Sequence, residues 1–103
     1  MNGTGADAQA WDAIVIHADD DVAVALRDLA VGSTVRLRVR GMTRELVVRE
    51  AIPLGHKVAL HAIAAGDIVH KYGEPIGAAT GAIVAGSHVH VHNLTSRRAR
   101  RSP

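Results

Sequence analysis

A chain of 103 residues is sized for one domain, and with no Phe, one Trp and one Tyr its core has to be assembled from Val, Ile, Leu and Ala. The absence of cysteine excludes disulfides and thiolate metal sites and fits a reducing, cytoplasmic setting; no leader pattern opens the chain, and no apolar run approaches the roughly 18 residues of a membrane span. The pI of 9.7 comes from Arg97, Arg98, Arg100 and Arg101: without those four, eight Lys and Arg face ten Asp and Glu, a body of formal charge −2. The basic signal belongs to a tail, and the lack of interleaved aromatics argues against nucleic acid as the partner.

In chain order, residues 1–11 read as a flexible N-terminus, Asp12–His17 as a first strand, Ala18–Asp21 as a turn and Val22–Leu26 as a second strand. A helical turn within Val22–Leu29, or over Arg27–Ala30, is the competing reading. Val35–Arg40 alternates strictly, with Val35, Leu37 and Val39 inward and three arginines toward solvent. Gly41-Met42 then predicts a two-residue type II′ connection into a strand over Thr43–Glu50. An apolar-x-x-Gly-x-x-Val pattern occurs four times, as Leu29…Gly32…Val35, Ile52…Gly55…Val58, Ile63…Gly66…Val69 and Ile83…Gly86…Val89. In each copy an apolar side chain pins a turn to the core, glycine supplies a positive φ, and a strand begins near the valine. Four such units predict an all-β fold of short strands, followed by a disordered basic tail over 95–103.

The segment Ser87-His88-Val89-His90-Val91-His92-Asn93-Leu94 holds three of the chain's seven histidines (17, 56, 61, 70, 88, 90 and 92). Alternation with valine predicts a strand with His88, His90 and His92 on one face. Imidazole is the main soft ligand and near-neutral acid or base here. Neighbours in such a row start about 6.5–7 Å apart, close enough for two rings to tilt onto one ion, whereas the outer two start about 13 Å apart. A chelating pair, His88 with His90 or His90 with His92, is therefore expected, and Fe²⁺, Mn²⁺ or Zn²⁺ would suit it. The competing reading is a solvent-facing strand with histidines at its polar positions.

Gly55-His56-Lys57 and His70-Lys71-Tyr72-Gly73-Glu74-Pro75 each set a cation beside a glycine turn. Turn N–H groups together with Lys57 or Lys71 could hold a carboxylate or sulfonate; ordinary exposed lysines, with Tyr72 covering the core, are the alternative. Glu74, beside Pro75 in a rigid turn, is the carboxylate candidate for metal binding or acid or base work, with a solvated turn residue as the alternative. No nucleophile elbow, phosphate loop, Rossmann glycine pattern or His-Glu-x-x-His occurs, so any catalysis is expected to use only part of a site.

Taken in order, Ile52-Pro53-Leu54-Gly55-His56-Lys57-Val58-Ala59-Leu60, Lys71-Tyr72-Gly73-Glu74-Pro75-Ile76-Gly77 and Gly86-Ser87-His88-Val89-His90-Val91-His92-Asn93-Leu94 resemble the N-terminal domain of altronate and galactarate dehydratases. The same pattern occurs in the small subunit of sulfolactate sulfo-lyase. The resemblance implies a SAF domain of β-clip fold over 12–94, and a metal-assisted β-elimination on a hydroxy acid such as a sugar acid. It also implies that His88 and His90, with His92 next, face the metal, while Lys57, Lys71, His56, Tyr72 and Glu74 lie toward the substrate. A much larger domain follows in the fused dehydratases, so the expectation is a small subunit sharing its site with a large catalytic subunit; a second copy of the chain is a further candidate partner. Two alternatives stay open: a stand-alone module binding a carbohydrate or an anionic ligand, and the small subunit of a sulfolactate sulfo-lyase.

Overall fold

The computed structural model describes residues 11–96, and every regular element in that span is a β-strand. One sheet holds β1 (Ala13–Ile14), β2 (Val22–Ala25), β3 (Thr34–Val39), β4 (Met42–Val47), β5 (Lys57–Ala59) and β8 (His88–Val89), in the order β4-β3-β1-β2-β5-β8. The other holds β6 (Ile68–Lys71), β7 (Glu74–Ala79) and β9 (Leu94–Ser96), in the order β6-β7-β9. Of these pairings only β1 with β3 is parallel. The result is the all-β arrangement of a SAF-like β-clip domain.

The repeated pattern is four copies of one turn. In each, the residue after the glycine donates its N–H three residues back: Ser33 to Ala30, His56 to Pro53, Asp67 to Ala64 and Ser87 to Val84. Gly32, Gly55, Gly66 and Gly86 take φ of +84 to +88°, the third position of a type II turn, where a side chain would be strained. The apolar leaders pair two by two: Leu29 bridges Ile52, and Ile63 bridges Ile83, each through reciprocal backbone hydrogen bonds of 2.8–2.9 Å. All four leaders and Val35, Val58, Val69 and Val89 are buried. Leu29, Ile52, Val35 and Val58 belong to one core cluster, whereas Ile63, Ile83, Val69 and Val89 belong to a second.

Several expected boundaries move. The β3–β4 hairpin turns at Arg40-Gly41 rather than Gly41-Met42: Val39 pairs with Met42, and both central residues have positive φ (54° and 79°), which makes a type I′ turn. Tyr72-Gly73 (59° and 77°) repeats that turn and closes β6–β7. Strand β4 ends at Val47 instead of Glu50: the Val48 N–H still reaches Ser33 in register, but that of Arg49 goes to Gly86. The first strand shrinks to Ala13–Ile14: beyond it the His17 N–H donates to the Asp20 carboxylate and the His17 carbonyl accepts the Asp20 N–H, each at 3.0 Å, which makes a turn of the segment's end, while the Asp12 carboxylate accepts from the Arg27 side chain at 2.6 Å and the Arg36 N–H at 2.8 Å. No helical turn forms over Val22–Ala30: β2 lies between β1 and β5, and sheet hydrogen bonding overrides the local alternative. Of the segment 1–11 only Trp11 is described, with the Arg36 guanidinium 5.4 Å from its ring centroid. Thr95 and Ser96, expected in the tail, are instead paired with Ala78 and Gly77 in β9, and the four arginines of the tail lie outside the described residues. No helix among the described residues is long and apolar enough to cross a membrane.

Candidate metal centre

The histidine row is bent, not flat. Only His88 and Val89 are strand; the chain then turns over His90–Asn93 and re-emerges as β9 in the other sheet. Asn93 makes that reversal: its Oδ1 accepts the His90 N–H at 2.9 Å, its Nδ2 donates to the His88 carbonyl at 2.8 Å, and its own N–H donates to the His90 carbonyl. An amide with a donor and an acceptor on one short stem can close both sides of such a turn. His88 and His90 are half-buried, while Val91 (81% exposed) and His92 project from the turn.

A different histidine joins the pair. His56 ends the second turn copy, directly before β5, and β5 runs antiparallel to β8 with Val58 opposite His88 and Lys57 opposite Val89. One further step in that register brings His56 opposite His90, on the face shared by Val58 and His88. The ligand nitrogens of His56, His88 and His90 lie within 4.8 Å of one another. His56 Nδ1 is 2.9 Å from His88 Nε2; the ring centroids are 4.5 Å apart for His56–His90 and 5.2 Å for His88–His90, both stacked. His92 remains near, its ring centroid 5.4 Å from that of His88 and tilted, but it is outside this group of converging nitrogens.

Three converging imidazoles fit a borderline-soft divalent cation. Two nitrogens bound to one tetrahedral zinc stand about 3.3 Å apart, so the 2.9 Å pair needs only a small ring movement. Electrostatics keep the site ready for a cation: burial, then the charges His56, His90 and His92 would carry, push His88 below the ordinary imidazole value, against an opposing pull from Glu50. His90 is pushed down as well, by desolvation and then by His56, Lys57 and His92. Neutral imidazole is the ligating form. Glu50, which sequence reasoning missed, supports the site by accepting the His88 N–H at 2.8 Å; it is 38 residues away and carries no motif. The signal for His56 was present in the turn repeat, because copies two and four feed strands that pair.

The residues expected on the substrate side divide. Lys57, Lys71 and His90 line one cleft of about 280 Å³ with Ile76, Val91 and Leu94. Burial, and then the charge of Lys71, lower the Lys57 pKa. Tyr72 is exposed, with the Lys71 Nζ 4.7 Å from its ring centroid, and Glu74 is an exposed residue opposite Lys71 at the hairpin end; neither lines the cleft. The remaining histidines gather elsewhere: His61 and His70 each lie 3.0 Å from an Asp21 oxygen, and His17 packs beside Gly73 next to buried Asp20. A separate cleft of about 380 Å³, lined by Trp11, Ile14, Leu26, Arg38 and Arg40 among others, offers no metal ligand.

Comparison with known proteins gives the family. The family model of the altronate/galactarate dehydratase SAF domain matches residues 11–97. The chain is 51% identical over 80 residues to altronate dehydratase of Escherichia coli (strain K12), covering 78% of this chain and 15% of that protein. It is 38% identical over 90 residues to (2R)-sulfolactate sulfo-lyase subunit alpha of Chromohalobacter salexigens, covering 84% and 96% respectively. A protein of the same name from Paracoccus pantotrophus is 51% identical over 53 residues, 52% of this chain and 79% of that one. The chain thus spans only about 15% of the length of the altronate dehydratases it matches.

Proposed function

The chain belongs to the altronate/galactarate dehydratase SAF-domain family, and on that premise we propose that it is the small, cytoplasmic subunit of a hydro-lyase acting on a sugar acid, with a site shared with a large catalytic subunit. The observation that carries this reading is the convergence of His56, His88 and His90 on an open face. These three would hold a divalent metal. When bound, such an ion polarises a substrate oxygen and stabilises the negative charge that develops as a proton leaves the neighbouring carbon. The chain's own contribution is positional: β5 and β8 fix two rings across one ladder, and the Asn93-closed turn fixes the third. The lowered proton affinity of His88 and His90 favours their neutral, ligating form. The cleft beside these imidazoles is lined by no carboxylate among the described residues, so the reading assigns proton abstraction to the large subunit.

The test is zinc titration by calorimetry on wild type, His56→Ala, His90→Ala and His92→Ala. The expected result is a loss of about tenfold or more for the first two variants and little change for His92→Ala; equal affinity in all four would remove the metal centre. Assays with the large dehydratase chain from the same genome should then show altronate or galactarate dehydration only when both chains are present. A second reading, the small subunit of a sulfolactate sulfo-lyase, is favoured by the near full-length match to subunit alpha. Sulfite release from sulfolactate by the pair, without sugar-acid dehydration, would select it. Failure to associate with any large chain, with a carbohydrate or anionic ligand still bound, would favour a stand-alone binding module.

A further inference from the structure

We infer that the cleft between Lys57, Lys71 and His90 is a preformed subsite for one carboxylate or sulfonate head group of a short acid. The inference rests on the shared-site reading above and adds to it where the substrate's anionic end sits. Among the described residues, neither lysine has a carboxylate within ion-pair distance. Glu74 stands opposite Lys71 in the hairpin register and still makes no ion pair with it. Elsewhere Arg27 pairs with Asp12, and the His61 and His70 rings share Asp21. Two half-buried lysines line one cleft without a protein counter-charge, Lys71 resting its Nζ 4.7 Å from the Tyr72 ring centroid, and an oxyanion in the cleft would supply the missing charge.

The lining also describes the rest of the ligand. Ile76, Val91 and Leu94 give the cleft an apolar floor. Ile76 is available for it because the β6–β7 register shifts between Val69 and His70, which leaves Ile76 without a cross-strand partner, beside a proline that donates no hydrogen bond. A cleft of about 280 Å³ with cations at one side and C–H surface beneath suits a carbon skeleton of a few atoms bearing an oxyanion. His90 belongs to both the cleft and the imidazole group, so a ligand seated on the lysines reaches toward the metal-facing nitrogens. The expected alternative donors, the glycine-turn N–H groups, are already used: Gly55 donates to Ala25, His56 to Pro53 and Gly73 to the Asp20 carboxylate. Recognition therefore falls to side chains.

Amide NMR of the metal-free, full-length chain, titrated separately with lactate and methanesulfonate against sodium chloride at matched ionic strength, tests the subsite. Saturable shifts at Lys57, Lys71, Ile76 and His90 are expected; a response to one acid alone identifies which head group the cleft prefers. The Lys57→Met/Lys71→Met variant should weaken binding about tenfold or more, and Lys57→Arg/Lys71→Arg should restore most of it. Shifts that merely track ionic strength, or that persist unchanged in the Met variant, overturn the proposal. Zinc titration of the same samples separates the two readings: zinc binding without acid binding removes the subsite alone, whereas acid binding without zinc binding removes the metal centre alone.

Discussion

Replacing Gly86 by alanine should cost far more than the same change at Gly32, Gly55 or Gly66, although all four share a φ of +84 to +88°. At the other three positions a Cβ would meet nothing within 4 Å. There, only the left-handed backbone is penalised, by roughly 1–2 kcal/mol, partly offset by about 0.4–1 kcal/mol of reduced unfolded-chain freedom. The net is about 1 kcal/mol. At Gly86 the added Cβ would lie 2.0 Å from the Val47 carbonyl oxygen and 3.2 Å from Arg49 Cγ. That oxygen belongs to the backbone next to the Arg49 N–H to Gly86 carbonyl bond, so the strand entry itself must move. Overpacking of this kind adds about 1–3 kcal/mol, for a total near 2–4 kcal/mol out of a domain stability of about 5–15 kcal/mol. Urea unfolding of the four variants measures the differences. Four equal shifts in midpoint would refute the reasoning, because the turns would then differ in nothing that matters to stability.

Three further outcomes follow from the geometry. Burial works against the Asp20 charge, but hydrogen bonds from the Gly73, His17 and Tyr72 backbone outweigh it and hold the carboxyl below its ordinary 3.8. Its stabilisation is thus present above the unfolded value and lost as pH falls through the folded one; Asp20→Asn should flatten the acid limb of stability below about pH 4, and an unaltered limb counts against the assignment. Because burial and neighbouring charges push His88 and His90 below an ordinary imidazole, proton competition at these two ligands is displaced to lower pH, and zinc affinity should be held between about pH 8 and 7 and fall at lower pH. A steep loss between pH 8 and 7, followed by calorimetry, contradicts this. Val91 is apolar, 81% exposed and held on the Asn93-closed turn beside the site. Val91→Asp should abolish co-elution with the large chain in size-exclusion chromatography while leaving zinc affinity unchanged; intact co-elution places the interface elsewhere.

Local patterns in the sequence resolve wherever local physics decides. The strict alternation of Val35–Arg40 and the four glycine turns foretell β3, its hairpin, and the entries to β3, β5, β6 and β8, since turn chemistry and inward side chains act within a few residues. Competing local partners and long-range contacts decide the rest. Arg40 adopts positive φ because strand twist favours a type I′ turn, so the hairpin slips by one residue from the glycine-first reading. Val89-His90-Val91-His92 has the period of a strand, yet Asn93 offers the backbone a closer set of partners, and β9 finds its place beside β7 in the other sheet. His56 and His88 are 32 residues apart and meet only through the β5–β8 ladder. Pairing of two repeat-derived strands is visible in sequence only after their register is known.

The two-by-two bridging of the turn copies gives the histidine group a role beyond ligand supply. His56 follows the copy led by Ile52, in the pair that bridges Leu29, whereas His88 and His90 follow the copy led by Ile83, in the pair that bridges Ile63. The β5–β8 ladder between them contributes Val58 to the first core cluster and Ala59 and Val89 to the second. An ion held by all three rings would act as a clasp between halves that otherwise meet through short strands. At a hundredfold excess over its dissociation constant such a clasp adds about 2.7 kcal/mol to the folded state, so metal supply would set how firmly the two halves stay joined.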